Sequence, residues 1–209
     1  MTKVIATRQL STHSFEKPML YPSLRSRETE ASDALSLLTG CHARIRHFSR
    51  MAVALVESHG APADEVAEAA RQLVRYFTLA LPLHVEDEEL SLLPRLRGLG
   101  AELDARLETM RAEHERIDAL LAPQVEAWQA LAEAPGRLTT RAAALLPQAR
   151  ELHALFERHL GAEEEHIFPA LRTELDDEAL DAIRAAIRER RRDQYRPRAP
   201  ARSDPSPRG

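Results

Sequence analysis

The chain has 209 residues, 44% of them hydrophobic and 30% charged, with a formal net charge of -4, a balance that fits one soluble domain with tails and enough length to bury a core. Its only cysteine, Cys41, excludes an internal disulfide framework and a cysteine-based zinc or iron-sulfur site, and points to a reducing, cytoplasmic setting. The first ten residues have no apolar run of the secretory kind, and the longest uncharged apolar stretch, residues 77–83, is far too short for a membrane span.

Residues 1–31 read as a tail. From there apolar residues recur at steps of three and four, the period that lines one face of a helix, and no segment alternates as a strand does. The first stripe is Leu35, Leu38, His42, Ile45, Ser49, Ala52 and Val56, opened by a Ser32/Asp33 cap signal and stopped at Gly60. The second runs through Val66, Ala70, Leu73, Phe77, Leu81, His84 and Glu88 and ends between Pro94 and Gly100. The third passes Leu107, Met110, His114, Ile117 and Leu121 to Leu131, closed by Pro135 and Gly136; the fourth passes Leu145, Leu152, Phe156, His159 and Glu163 to Ala170. Four long amphipathic helices with short connections predict an all-α, up-down-up-down four-helix bundle over residues 32–175. A short fifth helix at 176–194 and a disordered Pro/Arg-rich tail at 195–209 follow. Pro82, Pro123 and Pro147 fall inside these helices and predict bends or bulges, the one at Pro82 helping to aim His84.

The polar residues that interrupt the stripes share one chemistry. Each of the four helices carries a histidine, His42, His84, His114 or His159, and the second and fourth add Glu88 and Glu163 one turn further on. The form H-x3-E-E-x4-P occurs at His84 to Pro94 and again at His159 to Pro169, 75 residues apart, while His42-Ala-Arg-Ile45 returns as His114-Glu-Arg-Ile117, 72 residues apart. The chain thus reads as a duplicated helical hairpin, each copy supplying half a site. Counted from the turns, His84, His114 and His159 fall at about one level at 1.5 Å per residue. His42, closer to its turn than His84 by about six residues, fits that level poorly.

Two carboxylates and four imidazoles in a bundle interior would be prohibitive without a counter-charge. A pair of divalent cations supplies it, and an all-nitrogen-and-oxygen donor set suits iron or manganese best, with zinc still open. Other residues have blander readings. His153 and Glu157 share the H-x3-E spacing off the stripe and read as a surface pair. Glu89 and Glu164 stay open between solvated neighbours, acceptors that hold a histidine ring, and alternative ligands. His166 is an extra candidate, and Cys41 reads as a small buried apolar residue rather than a redox group. The nine arginines of residues 183–209 read as a solvated helix end, with an acidic partner, nucleic acid or anionic lipid as the alternative; nucleic acid is disfavoured by the near-neutral balance of the whole.

The series His42, His84-x3-Glu88, His114, His159-x3-Glu163, with its E-E pairs and downstream prolines, resembles the hemerythrin-like HHE cation-binding family over residues 33–171. The resemblance implies a four-helix bundle with a non-haem, usually di-iron centre, in which Glu88 and Glu163 bridge and the four histidines cap the metals. It implies a small-molecule ligand, dioxygen, nitric oxide or peroxide, or a role in handling iron under redox stress. Oxygen-carrying members have a second histidine one turn from that of the third helix, where this chain has Met110 and Asp118. The missing imidazole leaves an open position and weighs against reversible oxygen carriage. The competing reading is a structural or interaction bundle that acts through its arginine-rich C-terminus.

Overall fold

The computed structural model describes residues 33–58 and 60–194, and among these every regular element is helical. The two tail expectations, at 1–31 and 195–209, lie outside the described residues. Helix α1 is Ala34–Glu57, opened by Asp33, whose side chain accepts the Ser36 N–H at 2.7 Å, one of the orphan donors of a helix start. Helix α2 covers residues 63–96, α3 is Ala101–Glu133, α4 covers 138–174, and α5 is Asp177–Gln194. The connection from α2 to α3 turns at Gly98, whose φ of 85° lies in the left-handed region that a side chain disfavours.

The bundle has two apolar cores with a polar layer between them. One contains Ile45, Leu81, Ile117 and Leu160, and in it Phe77 stacks between Trp128 and Phe156 with ring centroids 5.3 and 5.9 Å away. The other contains Leu38, Leu92, Met110 and Ile167, joined by Ile183 and Ile187 of α5. Along α1 and α3 the chain passes from the second core to the first, and along α2 and α4 from the first to the second. That alternation is the up-down-up-down arrangement, and each helix crosses the polar layer once. Helix α5, outside the four rods, packs on α1 and α2.

Two of the rods are not plain α-helix. α2 holds π turns at Tyr76–Ala80 and Glu88–Leu92, and α4 holds one at Glu163–Ile167. In each case the next residue donates its N–H five residues back, Leu81 to Tyr76, Leu93 to Glu88, Phe168 to Glu163, and the residue after that is a proline, Pro82, Pro94 or Pro169. A π turn takes in one extra residue, and a proline, lacking its own N–H, fits where the α ladder has already been interrupted. The bulge expected at Pro82 is therefore present. Pro123 and Pro147 differ from expectation: α-helix continues through both. These prolines are exposed, as are Ala119 and Ala143, whose carbonyls they leave without an N–H, so water satisfies the loss.

Leu131 is wholly buried in the aromatic-lined core. Leu131→Ala should lower unfolding free energy by about 2–5 kcal/mol with helicity retained, read by urea denaturation followed by circular dichroism.

Candidate metal centre

The polar layer brings together His42 of α1, His84 and Glu88 of α2, His114 of α3, and His159 and Glu163 of α4, each at most 4% exposed. They form two groups of four, His42–His84–Glu88–Glu163 and Glu88–His114–His159–Glu163, in each of which one ligand-type atom from every residue lies within 4.8 Å of the others. Both glutamates belong to both groups. His84 Nε2 lies 3.1 Å from Glu88 Oε1, and His114 Nε2 lies 3.2 Å from Glu88 Oε2. Glu163 repeats the pattern, 3.0 Å from His159 Nε2 and 3.1 Å from His42 Nε2.

These separations are of hydrogen-bond length, yet His42 Nε2, His84 Nε2, His114 Nε2 and all four carboxylate oxygens make no hydrogen bond. The groups converge on shared space rather than on one another. Buried polar atoms without partners are costly, and a cation in each group would satisfy them, so the donor set fits a dinuclear site.

The outer ring nitrogens are held separately. His42 Nδ1 is 2.8 Å from Glu164, His114 Nδ1 is 3.0 Å from Glu89, and His159 Nδ1 is 2.9 Å from Glu113. A carboxylate accepting from Nδ1–H fixes the ring so that the Nε2 lone pair faces the layer. Glu89 and Glu164 thus take the ring-holding alternative among the three left open. The π turns allow it: the widened first turn lets two consecutive glutamates serve the centre, Glu88 and Glu163 inward, Glu89 toward α3 and Glu164 toward α1. Glu113 was missed from sequence because it stands one position, about 100°, from the stripe. It acts across the helix interface, on α4. His84 Nδ1 makes no hydrogen bond to the described residues; the position corresponding to Glu113 in the first repeat is Cys41.

Counting only the protein's own groups, burial works against charge on His42, but nearby Glu163 and Glu88 outweigh it and raise its pKa to about 10. Burial is likewise outweighed at His114, by Glu88 and Glu89, which raise it to about 9. At His84 burial prevails, aided by the other histidines, and the pKa falls to about 3. Burial pushes the Glu163 carboxyl up, with Glu88 adding repulsion. The Glu88 carboxyl is subject to the same burial, but His84, His114 and His42 hold it well below the usual range. Protonated His42 and His114 thus face an ionised Glu88 in the layer.

His42 reaches the layer despite its register, its ring 5.1 Å from that of His84, and the extra residue of the π turn Tyr76–Ala80 takes up part of the offset. His166 stays outside both groups, 3.8 Å from Glu165. His153 is a partly buried partner of Ser49 at 2.9 Å, with Glu157 4.0 Å away. The expectation of a wholly solvated arginine run is corrected at two positions. Arg190 and Arg191 turn inward, each 2.7 Å from the fully buried Asp87. Arg196, Arg198, Arg202 and Arg208 lie outside the described residues.

Two spaces adjoin the centre. One of about 10 Å³, lined by Ile45, Leu81, His84, His114, Phe156 and His159, has room for roughly one water. The other is a cleft of about 110 Å³ between α3 and α4, where Arg106, Glu113, Met110 and His166 surround His159 and Glu163.

Comparison with known proteins agrees with this geometry. The hemerythrin HHE cation binding domain matches residues 33–171. A protein of Haemophilus influenzae (strain ATCC 51907 / DSM 11121 / KW20 / Rd), described only as uncharacterized, is 28% identical over 103 residues, 48% of this chain and 55% of its own. The chain thus spans about half the length of that relative. No solved structure matches. With the matched segment covering all four rods and the whole polar layer, the chain belongs to the hemerythrin HHE cation-binding domain family.

Proposed function

We propose that the six inward residues hold two divalent cations, His42 and His84 on one, His114 and His159 on the other, with Glu88 and Glu163 bridging both. The observation that carries this reading is the membership of both glutamates in both four-donor groups. Iron is the metal we assign, since each half-site offers imidazole nitrogen and carboxylate oxygen without thiolate; manganese and zinc are the alternatives. Bound there, the metals supply redox chemistry and a position for a small ligand.

What the chain's own residues contribute is orientation, charge and access. Glu164, Glu89 and Glu113 hold three rings. The apolar cores above and below keep bulk water from the layer, and the 110 Å³ cleft reaching His159 and Glu163 suits a ligand of a few atoms. We therefore assign the protein to binding, sensing or detoxifying dioxygen, nitric oxide or peroxide, or to handling iron in redox stress, in the cytoplasm. The competing reading, a bundle acting through C-terminal arginines, loses support where Arg190 and Arg191 are engaged internally.

Protein purified anaerobically with iron should hold about two metal ions per chain, and His84→Ala and His159→Ala should each lose at least one, by elemental analysis. A metal-free parent with unchanged thermal stability would overturn the metal reading. Optical spectra of the iron-loaded protein should change on adding dioxygen or nitric oxide. A band that bleaches on deoxygenation indicates carriage, and slow irreversible oxidation indicates stress response or iron handling.

The protonation pattern gives a further expectation. With metal removed, the stabilisation from His42 and His114 is complete below about pH 6.5 and lost as pH rises through 9 to 10. That from neutral His84 is complete above about 6.5 and lost as pH falls toward 3. Stability in chelator should therefore peak near neutrality and fall on both sides, read by urea denaturation from pH 4 to 10. Metal binding at pH 7 should release about two protons per chain, since ligand imidazoles must be neutral, measurable by calorimetry in buffers of different ionisation heat.

A further inference from the structure

Asp87 immediately precedes Glu88, is 0% exposed, and points to neither half-site. Its oxygens meet α5 instead. Arg190 Nη1 is 2.7 Å from Oδ1 and Arg191 Nη2 is 2.7 Å from Oδ2, while Arg190 Nη2 donates to Ser91 Oγ at 2.7 Å. Asp87 and Ser91 bracket the start and the body of the π turn Glu88–Leu92. Arg191 also approaches Cys41, the neighbour of His42, at 3.2 Å. Two side chains of one helix thus tie α2 to α1 at the level of the centre.

The internal repeat shows why this helix is needed. On α4 the corresponding π turn is gripped from α1: Arg46 forks onto both oxygens of Glu164, at 2.7 and 3.0 Å. The repeat equivalent of Arg46 is Asp118, which cannot grip Glu89 in the same way. The equivalents of Asp87 and Ser91 are Ala162 and His166, which offer no carboxylate to an arginine. Each of the two glutamate-bearing π turns therefore has a guanidinium grip, but the grip on Glu88–Leu92 comes from α5, beyond the residues 33–171 that match the family.

Resting on the metal reading above, we infer that Arg190 and Arg191 are positioning residues: by clamping Asp87 and Ser91 they hold the Glu88–Leu92 π turn, and with it Glu88, in the orientation that faces both half-sites. A buried carboxylate between two guanidinium groups, one of which hydrogen-bonds both Asp87 and Ser91, fixes direction as well as charge, and residues that orient a ligand from outside the site commonly change metal affinity by about 10–100-fold.

The test uses the full chain in three forms: the parent, Arg190→Gln with Arg191→Gln, and an apolar replacement of the whole clamp, Asp87→Leu with Arg190→Met and Arg191→Met. The third guards against a trivial loss of fold, because well-packed apolar groups can replace a buried ion cluster without loss of stability. Amide hydrogen exchange without metal, compared over residues 84–96 and 159–171, should rise about tenfold or more in the first segment for both variants and stay unchanged in the second, which Arg46 holds. Cobalt(II) titration should show binding weakened about tenfold or more, with an altered ligand-field spectrum, in both variants, including the apolar one at parent-like melting temperature. Parent-like exchange in residues 84–96 overturns the clamp, as does recovery of the parent cobalt spectrum and affinity in the apolar variant. A parent that takes up no cobalt or iron overturns the metal reading instead, and the exchange comparison then still decides whether the arginines hold the turn.

Discussion

Two carboxylates placed between apolar cores dominate the energetics of this bundle. A charge moved from water to such an interior is costly unless opposite charge comes with it, and here Glu88 and Glu163 bring carboxylate oxygens within 4.8 Å of each other. The protein meets the demand first with its own histidines, two of which are driven to hold protons, and the same atoms are the ones a cation would use. Positive charge in the layer is thus a requirement of the fold before it is a feature of any chemistry. A bound cation would take the place of those protons in a space already shaped for positive charge.

The duplicated hairpin gives this layer an approximate twofold logic. Glu88 and Glu163 are related, and so are the ring-holding pairs Glu89–His114 and Glu164–His42. The exceptions lie at the edges. Glu113 holds His159, whereas its counterpart is Cys41 and His84 Nδ1 has no hydrogen-bond partner among the described residues. The α3–α4 side opens into the cleft beside His159 and Glu163, and the α1–α2 side is covered by α5. The two half-sites share donor types but differ in surroundings, a difference that arises from a few substitutions between the repeats and one added helix.

Most of the architecture could be read from spacing, because a bundle depends on local periodicity: the four stripes, their order and their approximate ends follow from where Leu, Ile and Val recur. The inward set was legible for the same reason, since His and Glu at i and i+4 must share a face. What escaped was whatever acts between helices. Glu113 looks outward on its own helix and matters only to α4. Arg190 and Arg191 look like part of a solvated basic run until Asp87 is seen opposite them. The π turns were half legible: Pro82 predicted one, yet Pro123 and Pro147, chemically the same signal, sit in unbroken helix because their freed carbonyls face water. The register of His42 is eased by the π turn Tyr76–Ala80, which residue counting at a constant rise does not capture.

The π turns also limit how this gene can vary in length. Each stores one residue beyond the regular helical count, so deleting a residue within 88–92 or 163–167 would leave a perfectly acceptable α-helix. Everything downstream would keep its facing, because the residue five positions on in a π turn stands where the fourth stands in an α turn, and Leu93 and Leu96, or Phe168 and Leu171, would stay against the core they now fill. Single-residue deletions here would thus preserve the rods and their core while removing the widened turn from which consecutive glutamates reach the layer, so these surplus residues serve the centre rather than the fold.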